Sequence, residues 1–404
     1  MAEPPVARPL EGLRVLDMTQ FLAGPFATQI LADLGAEIVK LEAPVGDWSR
    51  TLPPHFVGGE SCYYLSINRS KRAIAVDMKA PEGLELARKL ADSSDMLIEN
   101  FRPGVLGKLG FGWDDLSARN PGLIWVSISG FGQTGPYRDR PAYDMIVQAM
   151  SGGMSLTGEP DGRSVRAGLP IGDLCAGMYG LIGGLSALEE RRRTGRGRFV
   201  DISMLDCQVA MLTYQAAYYL HSGEVPGRQG AGHASIPTYR AFAAGNGTGL
   251  VITANTERMW QGLCDVLGLP ALKADPRFLT NDERYVNREA LWPLLEAAFR
   301  TREAKEWAPL LLRAGVPVGE VNDLADALSD EQVLHRNMVL EMRSAAGETI
   351  RVVGNPIKFA GAAEPTPHYP PPLGAHGREI LAEMLGMQAE EIADYVNRGI
   401  LREH

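Results

Sequence analysis

Cysteine is scarce here and unpatterned. Cys62, Cys175, Cys207 and Cys264 lie far apart, and no pair has the spacing of a metal site or a redox motif. That argues against a disulfide-stapled scaffold and predicts free thiols in a reducing, cytoplasmic setting. Histidine patterns that bind metals are missing as well, with no His-x-x-x-His and no clustered Asp/Glu/His set, so no metal is expected. Neither G-x-G-x-x-G nor G-x-x-x-x-G-K-[ST] occurs, so a dinucleotide fingerprint and a P-loop are both unsupported. Positive charge is not in excess: 40 basic against 49 acidic side chains give −9. That balance argues against a general nucleic-acid binder and leaves room for a local basic pocket. The longest apolar runs are broken by Gly, Asp or Gln, so no membrane span is expected. The first nine residues show neither an apolar core nor a basic amphipathic pattern, so no targeting segment is expected.

What is present is alternation. At 404 residues the chain is long enough for two or three domains. Apolar runs at 13–18, 36–41, 73–76, 95–98, 123–128 and 199–203 read as strands, separated by helix-length patterns such as 25–34, 81–90 and 144–151. Strands spaced this way predict an α/β fold with a mostly parallel sheet, whose ligands bind beyond the carboxyl ends of the strands. Residues 1–205 read as this large domain. A linker helix and glycine-rich loop follow at 206–234, a smaller α+β domain at 235–330, and a segment at 331–404 that returns to the large domain. The stretch 227–232 reads as a mobile loop, and the Pro-rich stretch 365–372 as an irregular surface segment.

The richest segment for chemistry is Gly168-Leu-Pro-Ile-Gly-Asp173-Leu-Cys-Ala-Gly177, which opens a helix rich in glycine and alanine. Asp173 stands at that helix start with little side-chain bulk around it. It can cap free N–H groups, held ionised by the positive end of the helix dipole, and an ionised unshielded carboxylate is also a competent nucleophile. Cationic residues at strand ends, Asn68-Arg-Ser-Lys-Arg72 with Lys79, and Asn100-Phe-Arg-Pro-Gly104 with Lys108, can form a rim for phosphates or a solvated face. The tract Arg191–Arg198 reads as a helix C-cap, and His233 as a structural histidine.

Taken in order, several segments resemble the class III CoA-transferase family, the formyl-CoA and carnitine CoA-transferase group. They are Leu10-Glu-Gly-Leu-Arg-Val-Leu-Asp17, Ala23-Gly-Pro25, Asp33 to Glu42, Gly46-Asp47, Asn68 to Arg72, Asn100 to Gly104, Gly130 to Pro136, Tyr143-Asp144, Gly172-Asp173 and Gly354 to Lys358. The resemblance implies a Rossmann-like large domain and a smaller domain joined by long linkers, in an interlaced homodimer. It implies that Asp173 is the nucleophile and that CoA contacts fall on Ala23, Val76, Lys79, Asn100, Phe101, Arg102 and Lys108, with Tyr143 and Asp144 near the thioester. It implies no permanently bound cofactor: an acyl-CoA and a small carboxylic or dicarboxylic acid are the substrates, with succinyl-CoA as the expected donor. Two positions depart from the pattern. Ala43 stands where some members carry arginine, and Lys108 where many relatives do. Formyl-CoA with oxalate is the alternative pair, and an α-methylacyl-CoA racemase the alternative reaction. Racemase-like relatives have Gly-His-Asp where this chain has Ala142-Tyr143-Asp144. Arg50, Arg166 and Arg240 are candidates for binding a second carboxylate, and N–H groups at Gly172–Asp173 or in the 227–232 loop are candidate oxyanion donors.

Overall fold

A computed structural model describes residues 8–361, 364 and 366–404. Residues 1–7, and Pro365 at the head of the Pro-rich stretch, lie outside the described residues. The chain forms two compact units. One is drawn from Met1–Gly153, Arg166–His221 and Gln332–His404, the other from Met154–Val165 and Ser222–Glu331.

In the first unit, β1 (Arg14–Asp17) and β2 (Glu37–Glu42) are followed by a small hairpin of β3 (Phe56–Val57) and β4 (Glu60–Ser61). Then come β5 (Arg72–Val76), β6 (Met96–Glu99), β7 (Ile124–Ser129) and β8 (Phe199–Ser203). Every residue of β6 and β7 is buried, as expected for strands covered on both faces. Val15 pairs with Ile38 on one side and Met96 on the other, both in parallel register.

The second unit carries a three-stranded antiparallel sheet of β9 (Arg240–Ala243), β10 (Gly249–Ile252) and β11 (Val318–Glu320). Helices pack it around Trp260, Phe278, Phe299 and Trp307. The segment 227–232, expected to be mobile, is fastened within this unit. Arg228 donates to the carbonyls of Glu159 (3.0 Å), Pro160 (3.2 Å) and Gly162 (2.6 Å), and the Gly230 N–H donates to Gly158 O at 3.1 Å.

The chain then returns to the first unit as the hairpin β12 (Val339–Arg343) and β13 (Thr349–Val353), and ends in β14 (Leu401–Arg402). β14 pairs antiparallel with β5 and completes a seven-stranded sheet of order β14-β5-β2-β1-β6-β7-β8. The linker helix expected at the head of 206–234 is two helices, Met204–Ala210 and Thr213–Ser222, broken where Thr213 takes a left-handed φ of 44°.

The helix Ile171–Thr194 explains its own composition. A Cβ added at Gly177 would lie 2.5 Å from the Ala23 carbonyl, so glycine lets this helix close on the helix Ala23–Asp33. Its C-terminus ends on Gly195 at φ 72°, whose N–H donates to Arg191 O, in accord with the capping role read for the basic tract. The reading that every apolar run is too broken to match a span in length is corrected here. At 24 residues, with a mean hydropathy of 1.4 over its most apolar window, this helix is long and apolar enough to cross a membrane. Half of that window is buried in the unit, where Cys175, Ala176 and Leu188 join the core with Ile98 and Val126. Its apolarity thus serves packing, at about 1.5–3 kcal/mol per large aliphatic side chain buried.

Candidate active site

The strand order reverses at β1. β2 and β5 lie to one side of it, β6 and β7 to the other, so the loops leaving β1 and β6 diverge and open a crevice. A cavity of about 450 Å³ sits there. Gln20, Phe21 and Ala23 line it from the loop after β1, and Asn100, Phe101, Arg102 and Pro103 from the loop after β6. Gly130, Arg140, Tyr143, Asp144 and Asp173 come from later in the chain, with Tyr63 from the helix Cys62–Ile67.

The loop after β1 is held by buried charges. Lys71 Nζ donates to Asp17 Oδ2 (2.9 Å), and Lys40 Nζ donates to Thr19 O (2.8 Å) and Asp47 Oδ2 (3.1 Å). Burial alone would raise the Asp17 carboxyl, but Lys71, Lys40 and the hydroxyls of Thr19 and Thr28 together hold it well below the carboxylate range. The other oxygen of Asp47 accepts the Phe21 N–H at 3.2 Å. Phe21 is left-handed, at φ 61°, a conformation costing about 1–3 kcal/mol in a residue with a side chain. Gln20 and Asn100 complete the clamp: the Gln20 N–H donates to Asn100 Oδ1, and Asn100 Nδ2 to Gln20 O, both at 2.8 Å. The side-chain amide of Asn100 is therefore engaged with the backbone across the cavity wall.

Asp173 lies in the first turn of its helix, half-buried, but it is not the cap. That position is taken by Asp144, whose Oδ1 accepts the N–H groups of Gly172 (2.7 Å) and Asp173 (3.4 Å), while its Oδ2 accepts Gln148 Nε2 at 2.7 Å. Gly172 has to be glycine, since a Cβ there would lie 2.4 Å from Gln208 Nε2 and 2.9 Å from Asp144 Oδ1. The expectation of a dipole-stabilised anion is corrected accordingly. Burial, with the Asp144 charge added, pushes the Asp173 carboxyl up to about 7. The Gly172 and Asp173 N–H groups, proposed as oxyanion donors, are already taken by Asp144. A donor that sequence reasoning missed is Tyr63: burial, then the charges of Asp173, Asp47 and Asp144, drive its phenol up, so it keeps its proton. Only the third dimension reveals it, because its segment carries no motif.

The structure brings together Ala23, Asn100, Phe101, Arg102, Tyr143, Asp144 and Asp173 around this cavity. Val76, Lys79 and Lys108 do not line it. Val76 is buried in the core opposite Leu401, and both lysines are exposed elsewhere. Nor is the 68–72 segment a cationic rim. Arg69 is buried on Asp33 (2.6 Å), Lys71 on Asp17, and Arg72 pairs with Glu37 (2.9 Å). Among the arginines considered for a second carboxylate, Arg50 is buried against Glu42 (2.6 Å) and Glu60 (2.9 Å). Arg166 is exposed and outside the lining, and Arg240 belongs to the second unit, stacked 4.1 Å over Trp292. His233 accepts the Ser235 N–H at Nδ1 and stacks on Tyr239, in line with a structural role.

The site is thus a strand-end crevice at an α/β switch point, lined by two carboxylates, Asp144 and Asp173, and two arginines, Arg102 and Arg140. Comparison with known proteins narrows this. The family model for CoA-transferase family III matches residues 10–377. The chain is 41% identical over 398 residues to succinyl-CoA:glutarate CoA-transferase of Mus musculus, covering 98% of this chain and 91% of that one. It is 41% identical over 359 residues to acetyl-CoA:oxalate CoA-transferase of Acetobacter aceti, covering 88% and 90%. A crystal structure of a CAIB/BAIF family protein from Brucella suis superposes with a TM-score of 0.84 at 38% identity, over 94% of this chain and 100% of that one. The chain belongs to CoA-transferase family III and is a CoA-transferase.

Proposed function

We propose that this enzyme moves CoA from succinyl-CoA to a small dicarboxylic acid, with Asp173 as the covalent carrier. The observation that carries the reading is the Asp173 carboxyl itself, in the cavity at the switch point, with its backbone pinned by Asp144. Asp173 attacks the thioester carbonyl; the C–S bond breaks, leaving an aspartyl mixed anhydride and a CoA thiolate. The thiolate attacks the Asp173 carbonyl, expels succinate and forms an aspartyl-CoA thioester. The acceptor carboxylate attacks that thioester to give a second anhydride and free the thiolate again. Attack of the thiolate on the acceptor's acyl carbonyl releases the new CoA ester and restores Asp173. Over the full cycle one acid's thioester is exchanged for another's, so the net reaction is close to thermoneutral. Tyr63, a protonated phenol lining the same cavity, is proposed as the donor to the oxyanions that form.

Ala23, Asn100, Phe101, Arg102, Tyr143 and Asp144 are proposed as the CoA-ester contacts, supported by their shared cavity. Tyr143 in place of histidine leaves the racemase reaction without its expected base, which favours transfer. Exposed Leu169, Ile182 and Leu220 support an interlaced homodimer, and the four free thiols a cytoplasmic setting. Incubation with succinyl-CoA followed by hydroxylamine or borohydride should mark the peptide holding Asp173 by mass spectrometry. Asp173→Ala should lose the mark and lower turnover by about 10³-fold or more while still binding CoA. A labelled peptide elsewhere, or appreciable ping-pong turnover in that variant, overturns the assignment. A panel of glutarate, hydroxymethylglutarate, itaconate, mesaconate, malate and oxalate identifies the acceptor, and separates the oxalate alternative.

A further inference from the structure

We propose that Arg140 receives the carboxylate of the substrate acid that does not react, and so selects dicarboxylic acids. This deepens the reading of the cavity given above and rests on it. Four charged side chains line the cavity: Arg102, Arg140, Asp144 and Asp173. A dicarboxylate entering beside two aspartates needs a cation for its distal end. Arg102 follows Asn100 and Phe101 in the loop after β6, among the residues proposed for CoA, which leaves Arg140, from the segment leading to Asp144, as the other cation of the lining.

Arg140 is built for this. Its Cζ lies 3.7 Å over the Tyr137 ring, which in turn meets Phe131 edge-on with centroids 5.7 Å apart. The ring covers one face of the guanidinium and fixes its plane, while the edge with its five N–H donors stays available for a two-pronged grip on a carboxylate. Among the described residues Arg140 makes no ion pair, whereas its neighbour Arg138 is engaged with Asp139 (3.1 Å) and the Gln133 carbonyl (2.9 Å). Arg140 lies four positions before Asp144, which holds the N–H groups of Gly172 and Asp173. The connecting chain spans at most about 14 Å. A monocarboxylic acid would forgo this two-pronged, charge-assisted contact, so the site favours diacids.

Arg140→Gln and Arg140→Lys, compared with the parent enzyme, test this. The expected result for Arg140→Gln is a rise of about tenfold or more in the half-saturating concentrations of both glutarate and succinyl-CoA, each of which carries a free carboxylate. The Kd for CoA itself, which lacks that group, should move less than about twofold. Arg140→Lys should recover part of the loss. The proposal is overturned if CoA binding weakens as much as acid binding, which would put Arg140 on the CoA moiety. A loss confined to kcat, or no change, overturns it equally. Failure of the parent enzyme to bind CoA would instead sink the reading of the cavity.

Discussion

Asp173 titrates in the range where the enzyme must work. Its carboxyl is raised by burial and then by the Asp144 charge to about 7, against 3.8 for a free aspartate. The anion is the nucleophile, so single-turnover labelling of Asp173 should rise with pH, with a midpoint near 7, and then level off. A flat profile between pH 5.5 and about 8.5 would refute the shift. The stability consequence has a definite sign. The folded state holds this proton more tightly than the unfolded chain, so the contribution is fully present below about pH 4 and is lost as pH rises through about 7. Asp173→Asn should therefore be more stable than the parent at pH 8, by about 2 kcal/mol once partial exposure is allowed for. The residue could be picked from sequence because Gly172-Asp173 is a local motif. Its electrostatics could not, because they depend on Asp144, 29 positions away, occupying the helix end that Asp173 was expected to cap.

At the scale of the element, the strand ends matter most. β6 was legible from its apolar run, and so was the turn after it, but the polar side chain closing the strand was not. Glu99 is buried beneath the Asn100–Pro103 wall; its Oε2 accepts the Phe101 N–H at 2.8 Å and its Oε1 the Trp125 Nε1–H at 3.4 Å. Burial drives it up to about 7; bonds from Ser127, Phe101 and Trp125 oppose this, and Asp201 on β8 adds to the rise. As with Asp173, its contribution to stability is lost as pH climbs through about 7. Glu99→Gln keeps an acceptor for the Phe101 N–H and removes the titration. Urea unfolding between pH 5 and about 8 should then show a shallower loss of stability for the variant, differing by on the order of 3 kcal/mol at the alkaline end. Parallel curves would refute this role. The lysines and arginines near β5 misled for a related reason. Their sequence pattern is that of a surface rim, whereas Lys71 and Arg69 satisfy Asp17 and Asp33, carboxylates from distant parts of the chain.

For the molecule as a whole, the first unit is closed by the last few residues of the chain. The alternation of strands and helices made the parallel sheet readable. A two-residue edge strand has no periodicity to read, so β14 was invisible until the chain was folded. It does more than cover an edge. Leu401 and Ile400 are 1% and 3% exposed and pack with Val76, Leu86, Leu90, Ile380 and Ile392, tying the C-terminal helices to the nucleotide-fold half of the unit. Leu401 also pairs with Val76, the β5 position that the family resemblance assigned to CoA. Truncating a leucine in such a place removes its transfer free energy and leaves a cavity, together about 2–5 kcal/mol. Leu401→Ala should lower the urea midpoint accordingly while leaving KM for the CoA ester unchanged, because Val76 is buried in the core beside Leu401 and outside the cavity lining. If Val76 did touch CoA, the same substitution would loosen β5 against the ligand and raise KM. Measuring both quantities on one variant thus separates a packing role for this edge from a binding one.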